Sequence, residues 1–333
     1  MRCNRFLLAA ALLVPMVWCG DVQAQSDIPR TAFGTPDLNG IWDFHHLTPL
    51  QRPREFSGKA TLSLEEASVY ESNAFNRVRD QRARGANFVG VDLWHEEALA
   101  EWKMDNNRTA LITDPVDGRV PALTESRRAE LSAVTRFRGR PRSAEDRSLA
   151  ERCLIAPQSV PPIMTLIENA MLQVFQTPDH VVIHTERMHD SRIVPLGRRP
   201  LLPSQITPYM GSSTGHWEGD TLVVETSQID PRYSFQRSSE EMLVVERFTR
   251  ISRDELHYEF TINDPRSFTQ PWTASYDMQR SDGFIVEYAC HEGNYGLTNI
   301  LTGARAEEAR EAESGGEGAS ESSPSRSPRD GSQ

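Results

Sequence analysis

A chain of 333 residues carries 36 Lys and Arg against 47 Asp and Glu, a formal net charge of −11. That acidity speaks against nucleic acid as a partner, because phosphate recognition needs a basic face. Beyond the N-terminus no apolar run approaches the roughly 20 residues that a membrane-spanning helix requires, so no membrane span is expected.

The first residues read as an export signal. Arg2 and Arg5 precede an apolar run from Phe6 to Trp18, too short to cross a bilayer, and Val22-Gln23-Ala24 sets small residues for cleavage near Ala24. Cys19 follows Trp18 rather than the small residues that lipid attachment prefers. The expected product of removing 1–24 is therefore soluble, periplasmic or secreted. Losing Arg2, Arg5 and Asp21 takes the net charge from −11 to −12.

Residues 25–165 read as an irregular N-terminal wrap, rich in Pro and Arg. Ser63-Leu64-Glu65-Glu66 is a capping box, followed by Ala67, Val69, Tyr70 and Phe75 on a helical stripe. A second helix starts at Thr124, with Leu131 and Val134 at helical spacing. Between them Thr109 to Ile112 suits a short strand, stopped by the turn Asp114-Pro115-Val116-Asp117-Gly118. Arg136, Arg138, Arg140 and Arg142 read most simply as a solvated loop.

From 166 to 303 the pattern is β. Strands are expected at Met171 to Gln176, His180 to Glu186, Arg192 to Leu196, Thr221 to Thr226, Met242 to Ile251, Glu255 to Ile262, Trp272 to Met278 and Phe284 to Cys290. Turn signals such as Pro178-Asp179, Glu218-Gly219-Asp220, Ser252-Arg253-Asp254 and Ser281-Asp282-Gly283 separate most of them. Such short connections imply antiparallel neighbours. The expected fold is mainly β, an antiparallel meander closing into a lipocalin-like barrel, since closure both buries a face and removes the edges. A two-sheet sandwich is the alternative. Residues 304–333 read as a charged tail, with a helical tendency over Ala304 to Glu313 and Gly, Ser and Pro beyond, which cannot order itself by burial.

Cleavage would leave Cys153 and Cys290, which an oxidising compartment favours joining. Two buried free thiols, or one reactive thiol, are the alternatives.

Several words of the meander occur in a fixed order: Gly219-Asp220-Thr221-Leu222-Val223-Val224-Glu225-Thr226, Val244-Val245-Glu246-Arg247-Phe248-Thr249-Arg250 and Glu287-Tyr288-Ala289-Cys290-His291-Glu292-Gly293-Asn294-Tyr295. With Pro36 to Trp42, Arg152-Cys153-Leu154 and Met188 to Arg192, the chain resembles a family of hypothetical exported bacterial proteins over most of 31–306. That resemblance implies no activity. Gly40-Ile41-Trp42 ahead of a meander is also similar to the lipocalin pattern, which implies a cup for a small apolar ligand.

Strand alternation supplies the chemical clues. Leu256, Tyr258, Phe260 and Ile262 share one face of an ordinary half-buried strand. Glu246 instead falls between Val244 and Phe248, Glu287 between Ile285 and Ala289, and His184 and Glu186 follow Val182. A carboxylate in an apolar row is costly unless paired. These residues therefore either line a polar pocket or pair with Arg247, Arg250 or Arg192. His189-Asp190 with Arg192 is the most site-like short cluster, an imidazole beside a carboxylate and an anion-binding guanidinium, or else a polar hairpin tip. The catalytic candidates are His189, Arg192, Glu246, Glu287 and Glu292. The candidate ligand contacts are Trp42, His184, Glu186, Trp217 and Tyr295.

Gly211-Ser212-Ser213-Thr214-Gly215 has the spacing of a nucleophile elbow, but a Gly-Asp hairpin follows where the elbow needs a helix. His95-Glu96-Glu97 lacks the second histidine of a metalloprotease helix, and no phosphate-cradling loop is present. Neither metal nor cofactor is expected. The expected function is binding of a small, largely apolar molecule by an exported barrel. The alternatives are a cofactor-free lyase, isomerase or hydrolase using acid–base groups inside the barrel, and an envelope interaction module.

Overall fold

The computed structural model describes residues 28–83, 102–133, 140–156, 159–165, 169–197, 200, 202–203 and 205–320. Residues 1–24, expected to be a leader, His95, Arg136 and Arg138, and the tail beyond 320, lie outside them.

The protein is mainly β, with ten strands in one antiparallel sheet and few helices among the described residues. The strands are β1 (Gly40–Asp43), β2 (Ile112–Asp114), β3 (Met171–Gln176), β4 (His180–Thr185), β5 (Ser191–Pro195), β6 (Ser212–Glu218), β7 (Thr221–Ser227), β8 (Leu243–Arg250), β9 (Glu255–Asn263) and β10 (Trp272–Ser281). Their spatial order is β5-β4-β3-β1-β10-β9-β8-β7-β6, with β2 on β10. Two sequential meanders, β3 to β5 and β6 to β10, are thus joined by β1, which pairs with β3 on one side and β10 on the other. The N-terminal wrap contributes a central strand.

The sheet is not closed into a barrel. Its outer strands β5 and β6 are tied by an isolated parallel bridge, Leu196 with Gly215, where Gly197 N–H donates to the Gly215 carbonyl at 2.8 Å. A single bridge is not a ladder. The expected strand Phe284 to Cys290 is also not formed: this segment is irregular, and Phe284 is 76 % exposed. Both long sides of β10 are already paired, to β9 and to β1, and among the described residues no strand pairs with the segment that follows it. β-propensity cannot make a strand without a partner. The candidate strand at Thr109 appears as β2, shifted to Ile112–Asp114.

Alternation along β8, β9 and β10 sends Val244, Phe248, Leu256, Tyr258, Phe260, Trp272 and Tyr276 into one core. Trp42 lies there too, its indole N–H donating to Leu38 O at 2.9 Å and its ring under the Arg250 guanidinium at 5.4 Å. Gly40, two residues earlier, has φ +134°, and a Cβ there would lie 3.0 Å from the Arg280 guanidinium. The glycine of Gly-x-Trp is thus explained by backbone conformation and close approach. The segment 155–164 covers part of the core face of the sheet. Ile155, Val160, Ile163 and Met164 pack into the same core as Trp42 and Tyr258. The Ile163 N–H donates to Tyr258 Oη at 2.9 Å, and its carbonyl accepts from Tyr276 Oη at 2.8 Å.

Among the described residues three α-helices lie outside the sheet: α1 (Leu64–Ala83), α2 (Glu125–Ala133) and α3 (Gly296–Ser320). The capping box forms as its spacing requires, with Glu66 N donating to Ser63 Oγ at 3.2 Å and Ser63 N to Glu66 Oε2 at 2.9 Å. Ser63→Ala should cost about 1 kcal/mol of stability in a urea titration, with the midpoint moving and the slope unchanged. Helix α3 runs through the expected tail boundary at 303/304 and buries Ala304. Arg140, read as part of a solvated loop, pairs with Glu307 at 3.3 Å and with Glu311 on α3.

Candidate functional site

Cys153 and Cys290 are bonded, with Cα atoms 5.7 Å apart. This ties the loop before the core-filling segment to the irregular segment after β10. Among the described residues no helix is long and apolar enough to cross a membrane.

The sequence-derived candidates do not converge. Glu246 and Arg192 do meet, across the sheet interior, at 0 % and 5 % exposure. Glu246 Oε1 accepts from Arg192 Nη2 at 2.9 Å and from Tyr258 Oη at 2.8 Å, while Oε2 accepts from Arg192 Nη1. Arg192 Nη1 also reaches Thr226 Oγ1 at 3.4 Å, which bonds Ser213 Oγ at 2.8 Å. Burial pulls the Arg192 guanidinium down, but the adjoining Glu246 carboxylate outweighs it and holds the group above its ordinary value. Burial, then the nearby carboxylate, pushes the Tyr258 phenol well up. The result is a buried, desolvated ion pair. Ser213 sits inside β6 opposite Thr226, so the elbow-like glycine spacing marks a strand.

The remaining candidates are scattered. Glu287 and Glu292 are exposed, as is Tyr295 at 71 %. His184 lies half-buried on the outer face of β4, opposite in direction to Ile183, so it does not join Glu246. Its Nδ1 is 2.9 Å from Ser191 Oγ, and its ring meets the exposed His189 ring edge-on with centroids 4.5 Å apart. Burial, then repulsion from His189, lowers the His184 pKa. Glu186 is buried just beyond β4, and burial raises its carboxyl. Burial also raises Asp190, whose Oδ2 has no hydrogen-bond partner among the described residues. Trp217 is half-buried against the core. No group of three or more His, Cys, Asp or Glu that could hold a metal occurs among the described residues.

What the sequence did not indicate is a cleft of about 440 Å3 at one side of the core. Thr48, Pro49 and Leu50 follow β1 and form one wall, Leu111 and Met164 the floor, and Tyr233 to Gln236 the opposite wall. These positions lie in loops, where no period of 2 or 3.6 marks an apolar face. Phe235 anchors the far wall by packing on Trp272, ring centroids 5.9 Å apart and nearly parallel. Beside it Gln236 and Arg237 hold positive φ, at 51° and 73°, a conformation that non-glycine residues adopt only where the surroundings impose it. The Tyr233 hydroxyl is buried without a hydrogen-bond partner among the described residues.

No protein-family model, curated protein or solved structure matches this chain.

Proposed function

We propose that this chain is an exported protein that binds a small, largely apolar molecule in the cleft between Leu50 and Phe235. The observation that carries the reading is the cleft itself, about 440 Å3. Small-molecule sites span roughly 300–1,000 Å3, with apolar walls and few polar groups. Leu50, Leu111, Met164 and Phe235 supply such walls, and methionine adapts its shape at little cost. Export is supported by the joined cysteines and by the leader-like sequence of residues 1–24. The lipocalin likeness is kept in a restricted sense: an antiparallel sheet whose outer strands approach each other, with the ligand at one side of the core. Acid–base catalysis has less support, because its candidate groups are locked together in the core or spread over the surface.

Mass spectrometry of solvent extracts from protein purified out of the export compartment is the direct test. The expected result is an apolar organic molecule in near-stoichiometric amount. Protein stripped of it should regain stability when an apolar ligand is returned, by about 2.7 kcal/mol at a hundredfold excess over Kd. An empty extract, with no thermal shift from any lipophilic compound, speaks against the reading.

A further inference from the structure

We propose that the Cys153–Cys290 disulfide is a redox latch: its reduction by a dithiol frees the segment 282–295 from the body of the protein and uncovers the Glu186 carboxyl.

The segment is a strap between two fixed ends. It begins where β10 stops at Ser281 and finishes where α3 starts at Gly296. β10 is paired on both sides. α3 is held independently of the disulfide. Ala304 is buried, Arg305 donates to the carbonyls of Pro141 at 2.7 Å and Arg142 at 2.8 Å, and Arg140 pairs with Glu307 at 3.3 Å. Between these ends no residue is buried, and Phe284, Val286 and Tyr295 are exposed. A segment with few buried apolar contacts belongs to the least stable part of a fold, so its position depends on its fastenings.

The covalent fastening is Cys290 to Cys153. The others meet two adjacent residues just beyond β4. The Tyr288 ring lies under the Arg187 guanidinium, 4.5 Å from the ring centroid. The Val286 backbone N–H donates to the Glu186 carboxylate, which the Asn169 side chain also bonds. The strap backbone therefore sits on Glu186, which is 4 % exposed. Burial is the largest influence on that carboxyl and raises it, and the two donors offset part of the effect. A cation–π contact and one hydrogen bond are weak beside a disulfide that closes a loop of this length.

The opening step is thiol–disulfide exchange. One thiolate of the dithiol attacks Cys290 Sγ and expels Cys153 as a thiolate. The second thiol of the reagent, once deprotonated, displaces Cys290. Two electrons and the two protons of the dithiol thus end on the cysteines, and the reagent leaves as a disulfide. Asn294 Nδ2, 3.5 Å from Cys153 Sγ, is placed to donate to the departing thiolate. Both cysteines are partly exposed, as attack from solvent requires.

The experiment compares the oxidised protein, the protein treated with dithiothreitol, and the double variant Cys153→Ser with Cys290→Ser. A water-soluble carbodiimide with glycinamide labels accessible carboxyls, read residue by residue by mass spectrometry. Chymotrypsin reports whether the strap can leave the surface, by cutting after Phe284, Tyr288 or Tyr295. Labelling of Glu186 and cleavage within 282–295 should both be at least about tenfold faster in the reduced protein and in the double variant. Glu246, buried in the core, should stay unlabelled in all three. Rates equal to those of the oxidised protein overturn the proposal, since the strap then holds without the latch. Faster cleavage without faster labelling of Glu186 overturns it too, because the strap is then not what covers the carboxyl. Glu246 labelled as readily as Glu186 would make the disulfide a staple of the whole fold, and a disulfide that resists dithiothreitol in the folded protein would not be a latch.

Discussion

Replacing Glu246 by alanine is expected to destabilise the fold by about 3–5 kcal/mol, the usual cost of breaking a buried ion pair on one side. The carboxylate is fully buried and accepts from Arg192 on both oxygens and from Tyr258 on one. Its loss leaves a guanidinium in the core whose one remaining side-chain partner among the described residues is Thr226 at 3.4 Å, and strips Tyr258 of its acceptor. Replacing both ends together, Arg192→Met with Glu246→Leu, should recover most of the loss, because two charges then no longer need to be desolvated. Urea titrations of the single and double variants check this. A single variant within about 0.5 kcal/mol of wild type, the range of ordinary surface substitutions, would mean that the pair is not desolvated. The same geometry explains why an acid and a base aligned on facing strands need not form an active site. Both carboxylate oxygens and both terminal guanidinium nitrogens are already used.

His46 gives the second large effect, as a dependence on pH. Its ring is buried against Tyr276, centroids 4.9 Å apart, and neither ring nitrogen has a partner among the described residues. Burial lowers its pKa from 6.5 to about 3. Above pH 6.5 both the folded and the unfolded states hold it neutral, and it adds no pH dependence. As the pH falls below that value the unfolded chain takes up a proton that the folded chain refuses, so stability declines until the folded pKa is reached. At about 1.4 kcal/mol per unit the loss at pH 4 is roughly 3 kcal/mol. His46→Phe should remove this component. Glu186 and Asp190, raised by burial, act in the opposite sense over the acid range. The informative quantity is therefore the wild-type-minus-variant difference between pH 7 and pH 4. A difference that does not change with pH would place a proton on His46 in the folded state.

Local chemistry made much of the fold legible. Turn residues and alternation place β3, β4, β5 and β7 to β10 within a residue or a few of their observed limits, and the capping box marks the start of α1. The cost of a lone buried carboxylate points to an arginine partner for Glu246, with Arg192 among the three possibilities. The rest depended on information that no window contains. Strand β1 is short and begins at a glycine of positive φ; it becomes a strand because β3 and β10 flank it. Strand β6 is Ser-Ser-Thr-Gly-His-Trp-Glu, polar enough to read as a loop, and is held in register by its hairpin to β7. Phe284 to Cys290 has strand-like residues, but no strand pairs with it among the described residues. The cleft was invisible for the same reason: Leu50, Met164 and Phe235 come from separate loops, and only the packing of the chain brings them together.

The most direct test of the central claim is a calorimetric titration of the protein with methyl laurate, repeated on Leu50→Trp. Leu50 is only partly buried and lines the cleft, so an indole there should fill the space while the fold persists. The expected result is saturable binding at one site in the wild type, weakened at least about tenfold in the variant, equivalent to some 1.4 kcal/mol, with its thermal midpoint preserved. Binding of equal strength in both proteins, or no saturable binding in either, would contradict the assignment of the cleft as the ligand site.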